Sequence, residues 1–108
     1  MNHKFVALMM TGSFVISAPA YSAVDAKKAD ELMKSSGCLA CHAVDKKLIG
    51  PAYKEVAAKY KDDKEAAAKL AEKVKKGGSG VWGQVPMPPN PQVKDEDVKT
   101  MVDYVLSL

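Results

Sequence analysis

Cys38-Leu39-Ala40-Cys41-His42 gathers two thiols and an imidazole into five consecutive residues. Four chemistries use such a set. A C-x-x-C redox dithiol belongs in a βαβ setting, and no alternating strand pattern surrounds this one. A structural zinc ion needs about four ligands, whereas the chain beyond its N-terminal segment has two cysteines and a single histidine. A disulfide between residues three apart closes almost no loop, so it constrains little of the unfolded chain. The fourth chemistry is covalent haem attachment, for which C-x-x-C-H is the sequence signature. Cysteines three apart on a helical turn share nearly one face, so both thiols can reach the two vinyl groups of one porphyrin. His42 is then carried over the ring, where an imidazole nitrogen can bind the iron. One haem c held through Cys38 and Cys41 is the reading that uses all three side chains.

The elements that must position this motif begin after a leader. Met1 to Lys4 is short and basic, Phe5 to Ile16 is mostly apolar, and Ser17 to Ala23 is small and turn-prone. That order is the three-region pattern of a secretory signal. The apolar run is shorter than the roughly 20 residues a membrane span needs. Residues 1–23 are therefore expected to be cleaved, with cuts near Ala20, Ser22 or Ala23 all fitting the small-residue rule, and no stable membrane insertion should remain. Residues 24–108 form one domain of 85 residues. A chain this short is near the limit at which a polypeptide core suffices alone, so a cofactor is expected to complete it. All 16 basic residues are lysine, and removing Lys4 leaves 15 against 13 acids, a balance of +2. So mild and mixed a charge gives no footprint for nucleic acid and suits weak docking on acidic protein surfaces.

Apolar spacing predicts four helices and no strand, an all-α domain. The first spans roughly Ala26 to Ser36, with Ala29, Leu32, Met33 and Ser36 on one face and Gly37 as its stop. The second spans about Tyr53 to Tyr60, with Tyr53, Val56, Ala57 and Tyr60 inward. The third is expected to begin near Asp62 or Asp63, where Glu65 completes a capping-box spacing. Ala67, Leu70, Ala71 and Val74 would be its stripe, and Gly77-Gly78 its end. The last spans Asp95 to the C-terminus, with Val98, Met101, Val102, Val105 and Leu106 inward. The first and last helices should pack together.

Between the third and fourth helices lies Gly77 to Gln92, flexible in its glycine-rich first half and stiffened later by Pro86, Pro88, Pro89 and Pro91. This loop supplies a sixth iron ligand by elimination. His3 leaves with the leader, so a second histidine is not available. Met33 and Met101 fall on helical stripes, where a core role is the better assignment. Met87 has no helical face to serve and sits among prolines that limit the entropy lost on ligation. His42 and Met87 as axial ligands would fill both positions, raise the potential and suit electron transfer.

These segments together have a close family likeness. Cys38-Leu39-Ala40-Cys41-His42, Ile49-Gly50-Pro51-Ala52-Tyr53, Gly80-Val81-Trp82-Gly83 and Pro86-Met87-Pro88-Pro89-Asn90 resemble the successive motifs of the small bacterial class I cytochromes c of the c-551 type. The likeness covers essentially all of residues 24–108 and implies about four helices wrapped around one haem. It implies that His42 and Met87 are the axial ligands and that the Pro51 carbonyl accepts a hydrogen bond from His42. Trp82 would donate to a haem propionate, and Asn90 would steady the Met87 side. The basic residue near the propionates is often arginine in this family; here Lys73 would take that place, as a point charge without the bidentate fork. Taken without the likeness, Pro51 also suits the start of the second helix, Trp82 a core position and the lysines a solvated face.

The function expected is one-electron transfer by a monomer in the periplasm, within a respiratory or denitrifying chain. The family's donors and acceptors include membrane cytochrome complexes, copper proteins, terminal oxidases, nitrite reductase and peroxidases. The rival is a haem enzyme or gas sensor of peroxidase-like kind, which needs an open iron site and polar distal groups. The Pro86–Asn90 loop argues against it.

Overall fold

Glycine and capping side chains set the helix limits in the computed structural model, which describes Gly12 and residues 24–108. The expected leader, Gly12 apart, lies outside the described residues. Helix α1 runs Ala26–Ser35. Asp25 caps it by accepting from the Lys28 backbone N–H at 3.0 Å. Gly37 ends it in the left-handed region at φ 77°, which a side chain would resist. A single 3₁₀ turn follows at Cys38–Ala40. Helix α2 spans Tyr53–Tyr60, α3 spans Ala66–Lys76 and α4 spans Asp95–Leu106. Asp95, Glu96 and Asp97 occupy the first turn of α4 and Lys73, Lys75 and Lys76 the last turn of α3, each charge matching its end of the helix dipole. No strand occurs among the described residues, and the only ladder fragments are isolated bridges, His42 with Lys47 and Gly78 with Met87. The all-α expectation holds.

Helix α4 is the hub, packing on α1, α2 and α3. Its inward residues Val98, Met101, Val102 and Val105 are buried against Met33, Tyr53, Val56 and Val93. Leu106 is only half-buried at the edge of that cluster. The expected pairing of the first and last helices is present. Burying such side chains contributes about 1.5–3 kcal/mol each, which is why a periodic stripe suffices to place an element.

One boundary differs from expectation. Helix α3 starts at Ala66, three or four residues late, and no capping box forms. Residues 61–65 instead turn the chain out of α2, with the Asp63 N–H bonded to the Tyr60 carbonyl at 3.1 Å. The Asp63 carboxylate accepts from the Glu65 N–H at 2.9 Å and from Lys69 Nζ at 2.8 Å. These two donors hold its carboxyl below the ordinary value, the lysine first. A local side-chain turn has won over helix propagation. Of the expected stripe, Leu70, Ala71 and Val74 pack against the core, whereas at its start Ala66 is buried and Ala67 exposed. We expect Val98→Ala, at the largest fully buried side chain among the described residues, to cost about 1–3 kcal/mol in denaturant unfolding. Ala67→Ser should change stability by less than about 0.5 kcal/mol.

Candidate functional site

The 3₁₀ turn presents the motif. The N–H groups of Cys41 and His42 both bond the Cys38 carbonyl, at 3.2 and 3.0 Å, which winds the five residues tightly enough to bring their side chains to one cleft. The following loop folds back on this turn. The Gly50 N–H bonds the Cys41 carbonyl at 2.7 Å, and the Tyr53 N–H bonds the Ala43 carbonyl at 2.9 Å. The fold-back brings Pro51 beside the histidine: His42 Nδ1 lies 2.8 Å from the Pro51 carbonyl oxygen. That carbonyl can only accept, so Nδ1 carries the proton and Nε2 is the lone-pair nitrogen left to bind a metal. Such a second partner fixes the ring and raises its basicity as a ligand.

Two neighbours of His42 were not singled out by the sequence reading. A Cβ on Gly50 would stand 2.6 Å from His42 Cε1 and 2.9 Å from Nδ1, so only glycine lets the imidazole lie where it does. Tyr53 stacks on the other ring, with centroids 5.1 Å apart and planes 20° from parallel. Burial pushes the Tyr53 phenol well above its ordinary value, keeping it neutral. Gly50 and Tyr53 both stand in the quoted Ile49–Tyr53 string, but their effect on His42 appears only once the loop closes. Cys38 and Cys41 are half-buried free thiols, and burial pushes the Cys38 thiol up.

The cleft has a volume of about 260 Å³ and is lined by Cys38, Cys41, His42, Pro51, Lys73, Trp82 and Met87, among mainly apolar neighbours. Met33 and Met101 also reach it from the buried core. Met87 is half-buried and held by its backbone: it exchanges hydrogen bonds with Gly78 at 2.8 and 3.0 Å. Gly77, at φ 69°, permits that approach, since its Cβ would lie 2.4 Å from the Met87 carbonyl oxygen. Asn90 is outside the cleft lining. Its N–H and its side-chain Nδ2 both bond the Val74 carbonyl, at 2.9 and 3.3 Å, and Nδ2 also reaches the Pro88 carbonyl at 3.2 Å. These bonds tie the Met87 loop to the end of α3. Lys73 is half-buried and lies over Gly78, where a Cβ would meet its Nζ at 2.8 Å. Trp82 is no core residue; it is 42% exposed at the cleft, with Lys59 Nζ 5.5 Å from its ring centroid. Among the described residues no group of three His, Cys, Asp or Glu side chains could hold a metal ion.

The fit to haem rests on what lines this cleft. Ile49, Val81 and Val85 are 62, 47 and 66% exposed in the protein alone, although each faces the cleft. Large aliphatic side chains gathered at one concavity mark a site for an apolar body. Two thiols at its edge suit thioether attachment, and His42 Nε2 and Met87 Sδ are a nitrogen and a soft sulfur donor for iron.

Fold and site define a small helical protein built around a covalently held haem, and comparison with known proteins gives the same class. The cytochrome c family profile matches residues 26–108, and the chain belongs to that family. Among its relatives, cytochrome c-552 of Nitrosomonas europaea is 49% identical over 100 residues, 90% of this chain and 93% of the relative. Cytochrome c-551 of Pseudomonas aeruginosa is 50% identical over 105 residues, 97% of this chain and 95% of the relative. The crystal structure of the wild-type Nitrosomonas europaea cytochrome c552 superposes with a TM-score of 0.71 at 53% identity, covering 73% of this chain and 98% of that one. The protein is thus a small class I cytochrome c that carries one covalent haem c and transfers electrons between redox partners; it is not an enzyme.

We expect Gly50→Ala to force the His42 ring off the Pro51 carbonyl and to destabilise the haem-loaded protein by about 1–3 kcal/mol, as overpacking does. Denaturant unfolding measures the cost. Loss of the His42 Nδ1–H resonance from its hydrogen-bonded position in the NMR spectrum locates it.

Proposed function

We propose that this protein is exported to the periplasm and serves there as a one-electron carrier of a respiratory or denitrifying chain, with haem bound through Cys38 and Cys41 and iron held by His42 and Met87. When bound, the haem supplies a reversible one-electron iron couple. The chain's residues do the rest. Pro51, through its carbonyl, and Gly50 orient His42. Gly78 holds the Met87 backbone, and Asn90 ties the loop just beyond it to the Val74 carbonyl of α3. Trp82 and Lys73 offer an indole N–H and an ammonium at the cleft for the propionates. The observation that carries the reading is the Met87 clamp: a thioether whose backbone is bonded on both sides to Gly78, in the same cleft as a histidine with a free Nε2. With His42 and Met87 both holding the iron, no open position would be left for a substrate.

Export is supported by the residue 1–23 pattern. Partners consistent with the reading are membrane cytochrome complexes, copper proteins, terminal oxidases, nitrite reductase or a peroxidase, met as weak encounters by a monomer.

Met87→Ala should abolish the weak far-red sulfur-to-iron band of the oxidised protein, admit carbon monoxide to the reduced protein and lower the reduction potential. Met33→Leu and Met101→Leu should do none of these and cost under about 1.5 kcal/mol each. A wild type that binds carbon monoxide readily and keeps its spectrum without Met87 would contradict the assignment. Intact-mass analysis of haem-loaded protein should give an N-terminus between Tyr21 and Val24; a retained Met1–Ala20 segment would refute export by cleavage.

A further inference from the structure

Lysines on this chain are mostly solvated, and Lys76 is typical: it is exposed and pairs with Glu72 one turn away at 3.0 Å. Lys75 is different. From the last turn of α3 its ammonium reaches across to the far end of the Met87 loop. It donates to the Val93 carbonyl, lies 3.5 Å from the Pro91 carbonyl and pairs with Asp95 Oδ1 at 3.0 Å. Its side chain is 29% exposed, whereas that of Asp95 is 93% exposed. An ion pair with so solvated a carboxylate contributes little. The carbonyls are the partners that matter. Val93 itself is buried, and no backbone N–H among the described residues bonds its carbonyl. Without Lys75 that oxygen loses its donor, and a charged donor makes the stronger kind of hydrogen bond.

The position of this tie gives it a role. The loop is fastened at three successive places: to itself, where Gly78 pairs with Met87, and to α3, where the Val74 carbonyl meets Asn90 and Lys75 meets residues 91–95. The first lies at Met87 itself and follows the glycine-rich stretch, which resists little. The other two lie beyond Met87, and among the described residues Lys75 alone makes polar contacts from α3 to both the loop's last residues and the first turn of α4. We propose that Lys75 is a positioning residue for Met87, acting through the loop: its ammonium locks residues 91–95 onto α3 and so sets how often the Met87 segment lifts from the cleft. The inference rests on Met87 being an axial ligand. Lifting of this kind is a local opening, with a free energy below that of global unfolding.

Imidazole added to the oxidised holoprotein reads this opening, because it can bind only after the Met87 sulfur has left, with no change in oxidation state. At saturating imidazole the observed rate becomes the rate of loop release. Lys75→Met keeps the apolar stem and removes the donor; its limiting rate should rise about tenfold, the scale of one charge-assisted bond. Lys75→Arg should restore it to within about twofold, and Lys75→Gln, with a shorter neutral donor, should fall between. Asp95→Asn and Lys76→Met should leave it unchanged. The far-red band of the resting Lys75→Met protein should persist, which a simple loss of folding would not allow. A limiting rate in Lys75→Met equal to wild type, or an equal rise in Lys76→Met, would overturn the role of Lys75 while leaving Met87 as ligand. Uptake in the wild type that never saturates and is unaltered by Met87→Ala would overturn the ligand assignment, and this inference with it.

Discussion

The 85 residues from Val24 to Leu108 cannot enclose a large apolar volume, and here the side chains are arranged around one they do not fill themselves. Ile49, Val81 and Val85 stand exposed at a cleft that also receives Met33 and Met101 from the core. Each would cost solubility if left bare, and each gains the usual burial energy once an apolar disc covers it. The haem is therefore part of the core. Covalent attachment makes that part permanent: a thioether cannot dissociate, so a marginal polypeptide core never has to survive without it. Helix α4, packed on the other three helices, supplies the wall against which this arrangement is built.

The two faces of the site are made by different kinds of interaction. The histidine side is local. Within Cys38 to Tyr53 the chain winds one 3₁₀ turn, folds back through the Gly50–Cys41 bond and sets the Pro51 carbonyl on His42 Nδ1. Little sequence distance has to be closed, so such contacts form early and at low entropic cost. The methionine side depends on an α3 end reaching a loop more than ten residues away, through Val74 to Asn90 and Lys75 to Val93. It is also introduced by glycines. The proposed ligands thus stand on different supports, His42 on a rigid half and Met87 on one whose rigidity is assembled from separate ties, and exchange of the proposed pair would begin on the second.

How much of this could be read in the sequence follows the same division. Helices α1, α2 and α4 lie within about two residues of expectation, because an apolar stripe with a glycine stop or an acidic first turn is complete information about a helix packed on one side. The α3 start was misread because Asp62-x-x-Glu65 and the Asp63 turn compete for the same residues, and the need to leave α2 decided between them. Trp82, expected to donate to a haem propionate and alternatively suiting a core position, is exposed and lines the cleft. Among the residues that line the cleft, Cys38, Cys41, His42 and Met87 were candidates from type and spacing alone. Gly50, Tyr53 and Lys75 could not be given their roles: what each does is defined by a partner that the folded loop brings near, and no spacing rule encodes it.

The lack of arginine shows how such three-dimensional relations couple the site's charge to its ligand loop. Lys73 sits across Gly78, with Nζ 2.8 Å from the place a Cβ would take. Gly78 in turn exchanges both backbone hydrogen bonds with Met87. Any side chain at position 78 would push the ammonium aside and strain a φ of 140° in the residue that holds the methionine. An arginine at 73 would bring a broader, planar head to the same narrow place, whereas a lysine offers a compact charge on a thin stem. Lysine at 73 and glycine at 78 are therefore neighbours at the cleft, and the Gly78–Met87 bridge sets both beside the methionine backbone.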